Sequence, residues 1–172
     1  EPGAPPAPRV REAVAAVLDA PQNYTHFAGI APLRQGLSRY YADNHGVEVK
    51  PEEIIATTGS SGGFVLSFLS AFPAGARIAV TRPGYPAYLN TIEGLGYRPV
   101  EIPLTAETAW RLTGADIEMA YRRERFDGLL FASPANPTGA AVTREGLGEI
   151  VETCARLGVR FISDEIYHGL DY

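Results

Sequence analysis

Four short stretches of this sequence concentrate the side chains able to do chemistry. Asp164-Glu165-Ile166-Tyr167 sets two carboxylates and a phenol directly behind the short run Phe161-Ile162-Ser163. An acid with a Tyr three residues on can grip a flat heteroaromatic ring, the carboxylate on a ring nitrogen and the phenol on a ring oxygen. The same stretch also reads as a turn capped by Asp164. Gly59-Ser60-Ser61-Gly62-Gly63 offers backbone N–H groups, two hydroxyls and close backbone approach. At a helix N-terminus that combination binds an anion such as phosphate, although a plain glycine-rich turn has the same composition. In Ser133-Pro134-Ala135-Asn136-Pro137-Thr138-Gly139 the amide of Asn136 is held between two prolines. In Arg82-Pro83-Gly84-Tyr85-Pro86-Ala87-Tyr88 the ring of Tyr85 sits on a stiff loop, suited to covering a flat ligand or to packing on its own helix.

The glycine-serine stretch lacks the lysine of a Walker loop and the spacing of a dinucleotide fingerprint. It does match the G-x-S-x-G elbow of α/β-hydrolases, with Ser61 as nucleophile. That enzyme needs an acid and a histidine on separate loops later in the chain. Here the late candidates, Asp164 and His168, are four residues apart, and His26 and His45 precede the serine. The hydrolase is therefore the remote alternative.

The elements that must position these groups follow from periodicity. Short apolar runs predict strands at residues 54–58, 77–81, 97–102, 128–132 and 160–163. Helical spacing predicts helices at 8–19, 32–44, 63–71, 86–95, 115–123 and 143–157. Pro32 opens one, Gly46 stops it, Thr143 caps another and Gly158 ends it. Strand and helix alternating at this spacing give an α/β fold, a three-layer α/β/α arrangement around a mostly parallel sheet. Each of the four stretches directly follows a strand, so a parallel sheet brings all four to its C-terminal edge, where ligands bind in open α/β folds.

Composition narrows the function classes. The 172 residues are 45% hydrophobic and 20% charged with a net charge of −5, ordinary globular material without a basic stripe for nucleic acid. Arg122, Arg123 and Arg125 are broken by Glu124 and read as the solvated end of a helix. The single Cys154 permits no internal disulfide, fits a reducing compartment and falls in a helical pattern as a core residue. No apolar run approaches the roughly 20 residues of a membrane span. Residues 1–31 read as a Pro-rich lead-in and interface segment, and residues 1–172 as one domain.

With these residues in hand, the chain resembles the class I/II aminotransferases of fold type I, the aspartate aminotransferase-like enzymes that use pyridoxal 5′-phosphate (PLP). The resemblance covers nearly the whole chain in motif order. It rests on Ala132-Ser133-Pro134-Ala135-Asn136-Pro137-Thr138-Gly139 with Ser163-Asp164-Glu165-Ile166-Tyr167, and on Tyr24 followed by Gly29-Ile30-Ala31-Pro32-Leu33-Arg34. It implies that Gly59, Ser60 and Ser61 hold the phosphate and that Tyr85 stacks on the pyridine. Asn136 and Tyr167 would hydrogen-bond the phenolic oxygen, and Asp164 would pair with the ring nitrogen. Tyr24 would reach the phosphate of a partner subunit in a homodimer with shared sites. The implied reaction is amino transfer between an amino acid and a 2-oxo acid in the cytoplasm. PLP-dependent β-lyases and decarboxylases of the same fold are the alternative. The family's Schiff-base lysine and its substrate-carboxylate arginine come later than the motifs present here. The sole lysine, Lys50, lies ahead of the first expected strand, roughly 10 Å or more out of reach by strand length. The expectation is thus the N-terminal portion of the large PLP-binding domain, inactive alone, within an active parent enzyme.

Overall fold

The computed structural model describes residues 3–21 and 23–170. The chain divides into two compact units, Glu1–Thr57 and Thr58–Tyr172. The first unit carries helices α1 (Pro8–Leu18) and α2 (Ala31–His45) and a 3-10 turn at Pro51–Glu53. Proline in the first turn of each helix presets φ and gives up an N–H that would have no partner there. Gly46 ends α2 in the left-handed conformation. Arg34 Nη1 donates to Pro51 O at 3.2 Å and Ser38 Oγ to Val49 O at 2.6 Å, folding the segment after α2 back on it. Neither helix buries a residue, and Ala28 is the buried hydrophobic among the unit's described residues.

Residues 54–58 were expected as a strand and are not one. Their β-branched composition favours an extended backbone, and Ala56 N–H donates to Ala28 O at 3.0 Å. A strand exists only as part of a ladder, however, and these residues are not part of the described sheet. The sheet therefore has four strands where the sequence suggested five.

The second unit is the sheet and its helices: α3 (Gly59–Ala71), β1 (Arg77–Arg82), α4 (Pro86–Gly94), β2 (Arg98–Pro103), α5 (Gly114–Arg123), β3 (Gly128–Ala132), α6 (Arg144–Leu157) and β4 (Arg160–Asp164). The strand order is β2-β1-β3-β4, every neighbouring pair parallel. The predicted parallel α/β arrangement is thus present. Side chains alternate across it as strand geometry requires. Ile78, Val80, Leu130 and Ala132 pack on one face with Phe64 and Phe68 of α3, Phe72, and Tyr88 and Ile92 of α4. Ala79, Val100, Ile102, Leu129 and Phe131 pack on the other with Ile117 and Ala120 of α5 and Ile150 and Cys154 of α6. Burial pushes the Cys154 thiol up to about 11, which keeps it an inert core group.

Local chemistry sets the helix ends. Thr113 caps α5 in a reciprocal box with Asp116, and Thr143 Oγ1 accepts the Gly146 N–H at 3.1 Å to cap α6. The arginines at the end of α5 are solvated and occupied: Arg122 pairs with Glu118, Arg123 donates to Glu101 O, and Arg125 lies over the Tyr121 ring. Among the described residues no helix is long and apolar enough to cross a membrane.

Candidate functional site

The parallel sheet sets the geometry. Ala132 and Asp164 are register partners at the ends of β3 and β4, and the Ser133 N–H reaches Asp164 O at 3.4 Å. The stretches after β3 and β4 therefore leave the sheet side by side. Asn136 Nδ2 and the Tyr167 hydroxyl lie 3.5 Å apart, at the outer limit of a hydrogen bond. They flank an open hollow lined also by Pro134, Ala135, Pro137 and Leu170. Two donors that close, and only loosely engaged with each other, suit a shared acceptor.

Asp164 is the buried acid of the site, 8% exposed at the last position of β4. Its Oδ1 accepts the Ile166 N–H at 3.1 Å, the turn cap read from the sequence. Its Oδ2 accepts the Tyr88 hydroxyl at 2.5 Å. The turn-cap reading of the carboxylate is thus present, and it occupies one oxygen only.

Tyr88 is the residue that the sequence reading missed. Pro86 opens α4, and Tyr85 and Tyr88, three residues apart, fall on one helical face. That spacing was the available signal. Tyr88 is 6% exposed and meets two rings edge-on, Phe64 at 5.3 Å and Tyr85 at 5.5 Å between centroids. Burial first, then the hydrogen bond and negative charge of Asp164, drive its phenol far above the usual range, so it remains a donor. Tyr85 stands at the N-cap position of α4 without a side-chain capping bond, its ring partly in solvent. Gly84, just before it, lies against Thr81 O so closely that a Cβ would collide. This glycine lets the loop turn back over the end of β1.

The glycine-serine stretch is itself helical: α3 starts at Gly59, four residues earlier than expected. Gly59 takes φ of +75°, which a β-carbon would strain, and the chain turns there into the helix. The aromatic ladder along α3 gives its direction. Phe72 lies against Gly128 at the start of β3, Phe68 against Tyr97 just ahead of β2, and Phe64 against Tyr88 beside Asp164. The helix thus runs toward the C-terminal edge as it is followed back to its first turn. Gly59, Ser60 and Ser61, all exposed, lie a further turn beyond Phe64. Their backbone amides lie at the positive end of the helix dipole, toward that edge.

The Ser61 nucleophile arrangement does not form. Both Asp164 oxygens are engaged by Tyr88 and Ile166, and His168 Nδ1 faces Glu165 Oε2 at 3.5 Å. In the first unit Tyr24 is fully exposed.

Comparison with known proteins places the chain in a family. The sequence model of the aminotransferase class I and II family matches residues 2–172, and the chain belongs to that family. It is 44% identical over 167 residues to the valine–pyruvate aminotransferase of Mycobacterium tuberculosis, covering 95% of this chain and 42% of that protein. A probable aspartate/prephenate aminotransferase of Aquifex aeolicus is 32% identical, with 95% of this chain and 41% of that protein covered. Among solved structures, an aminotransferase from Mycobacterium tuberculosis superposes with a TM-score of 0.94 at 42% identity, over 100% of this chain and 47% of that one. Aspartate aminotransferase from Thermus thermophilus with maleate gives 0.93 at 28% identity, over 100% and 45%. The chain therefore spans less than half the length of the relatives it matches.

Proposed function

We propose that this chain forms the cofactor-holding part of a PLP-dependent aminotransferase, which moves an amino group from an amino acid to a 2-oxo acid. The observation that carries the reading is the buried Asp164 carboxylate. It closes one strand while the Asn136–Tyr167 pair leaves the same edge and the first turn of α3 opens toward it. The donor set fits the group. The amides and hydroxyls of Gly59, Ser60 and Ser61 would hold the phosphate, and Tyr85 would cover a ring face. Asn136 and Tyr167 would donate to the ring oxygen, and Asp164 would hold a proton at the ring nitrogen. Bound there, PLP supplies an electron sink for the α-carbon of the substrate. The chain's own contribution is to orient the ring at both ends and one face and to keep its nitrogen charged.

Tyr24, exposed in the first unit, would reach the phosphate site of a second copy, so the active protein is a homodimer. A cytoplasmic location is consistent with a lone buried cysteine and the lack of any spanning helix among the described residues. The valine–pyruvate relative makes a branched apolar amino acid with pyruvate the first substrate pair to assay. The test uses the full-length protein carrying this chain, purified and loaded with PLP. Visible cofactor absorbance and alanine formed from valine and pyruvate are expected. Release of ammonia or carbon dioxide without amino transfer would favour a lyase or decarboxylase instead. Absence of PLP uptake would overturn the reading.

A further inference from the structure

We propose that Tyr88 is a positioning residue for Asp164: its phenol fixes the carboxylate so that the proton shared with the ring nitrogen stays on the ring. The inference rests on the PLP reading above and extends it to a residue with no cofactor contact of its own. A carboxylate accepts at two oxygens and rotates about one bond. Here each oxygen has one donor, the Tyr88 hydroxyl at 2.5 Å on Oδ2 and the Ile166 N–H at 3.1 Å on Oδ1. The two donors come from different elements, α4 and the turn after β4, so the carboxylate plane is fixed from two directions.

Packing holds the phenol in place: its ring meets Phe64 and Tyr85 edge-on and is buried in the core on that face of the sheet. A short O–H···O⁻ bond in a dry site is a strong one, and it stabilises negative charge on the acid. Charge held on the carboxylate is what keeps a pairing nitrogen protonated. Without the phenol, Oδ2 is buried with no described donor, and the acid competes for the shared proton. The same helical turn thus links the residue that would cover the ring, Tyr85, to the one that steadies the acid beneath its nitrogen.

A merely structural Tyr88 predicts something different, and a double-mutant cycle separates the two. The full-length protein is prepared as wild type, Tyr88→Phe, Asp164→Asn and the double variant, each loaded with PLP isotope-labelled at the ring nitrogen. NMR of that nitrogen, PLP affinity, kcat and KM are measured alongside thermal melting. In Tyr88→Phe the ring-nitrogen signal is expected to move toward the neutral-pyridine position. kcat falls about 10-fold or more with KM little changed, the scale of one hydrogen bond to a charged group. In the Asp164→Asn background the same substitution has no further effect on the signal.

Difluorotyrosine at position 88 keeps the shape and strengthens the donor. It moves the signal the opposite way, and it decides the matter if Tyr88→Phe does not hold the fold. An unmoved signal in Tyr88→Phe or in the fluorinated protein overturns the proposal, as does an equal loss in both Asp164 backgrounds. Those results leave the PLP reading standing, whereas a wild type that takes up no PLP fails at the earlier step.

Discussion

The two compact units place their apolar residues in opposite ways. In Thr58–Tyr172, hydrophobic side chains face inward on both sides of the sheet, and Phe68, Ile78, Ile92, Ile117, Leu129 and Ile150 are fully buried. In Glu1–Thr57, Val10, Val14, Val17, Leu18, Tyr24, Phe27 and Ile30 are exposed. The first pattern is that of a self-supporting core, worth roughly 1.5–3 kcal/mol for each large side chain buried. The second leaves large apolar side chains in solvent, where they contribute no burial. The candidate site lies wholly in the sheet unit, and the one expected cofactor residue outside it, Tyr24, is a side chain in solvent.

Substitutions can break or sharpen that contrast. The largest effect is expected at Asp164. In the full-length protein Asp164→Ala should retain some PLP but slow α-proton exchange from substrate about 10³-fold, the scale of removing a preorganised charge partner. Near-normal exchange, followed by deuterium uptake, would take the chemistry out of the sheet unit. Ile150→Ala, on the face away from the site, should cost about 2–5 kcal/mol in denaturant unfolding through the cavity it leaves. PLP affinity of the folded protein should stay within a few-fold of wild type. A large loss of affinity would mean that the two faces of the sheet are not separable.

Tyr24→Phe should weaken PLP retention on dialysis about 10-fold, the value of one hydrogen bond to a charged phosphate, without changing the melting temperature. A fully active monomer would end the idea that this segment serves a partner's site. Smallest of all, Arg122→Ala removes one exposed ion pair with Glu118 and should shift stability by less than about 0.5 kcal/mol. A larger loss would show that the end of α5 does more than face water.

Helix ends were legible in both units: Pro32 and Gly46 for α2, and Thr143 and Gly158 for α6, marked ends that the structure retains to within a residue, because caps and proline act through local backbone chemistry. The strand–helix alternation carried the topology, and topology brought Asn136, Tyr167 and Asp164 to one edge without any pairwise signal. Residues 54–58 misled because β propensity describes a chain's readiness to extend, whereas a ladder needs a partner that no local pattern reveals. The start of α3 misled because glycine is a poor helix former in isolation. Gly59 enters through a positive φ, and packing of Phe64 and Phe68 on the sheet holds the rest. Tyr88 escaped notice because its partner is 76 residues away, and only the folded chain brings the phenol to the end of β4.

The register of β4 has a consequence for which length changes this chain can tolerate. Strand side chains alternate between faces, so one residue added between Gly158 and Arg160 would bring Ser163 to the position opposite Ala132 that Asp164 holds. One residue removed would bring Glu165 there. In either case the phenol of Tyr88 would meet the wrong group with the motif's own residues unchanged. Residues 105–109, between β2 and α5, are exposed throughout, and an insertion there would move nothing at the edge. In sequences descended from this one, gaps should accumulate in that loop and be purged from the approach to β4, where a single codon gained or lost would remove the acid while leaving every residue of the motif in place.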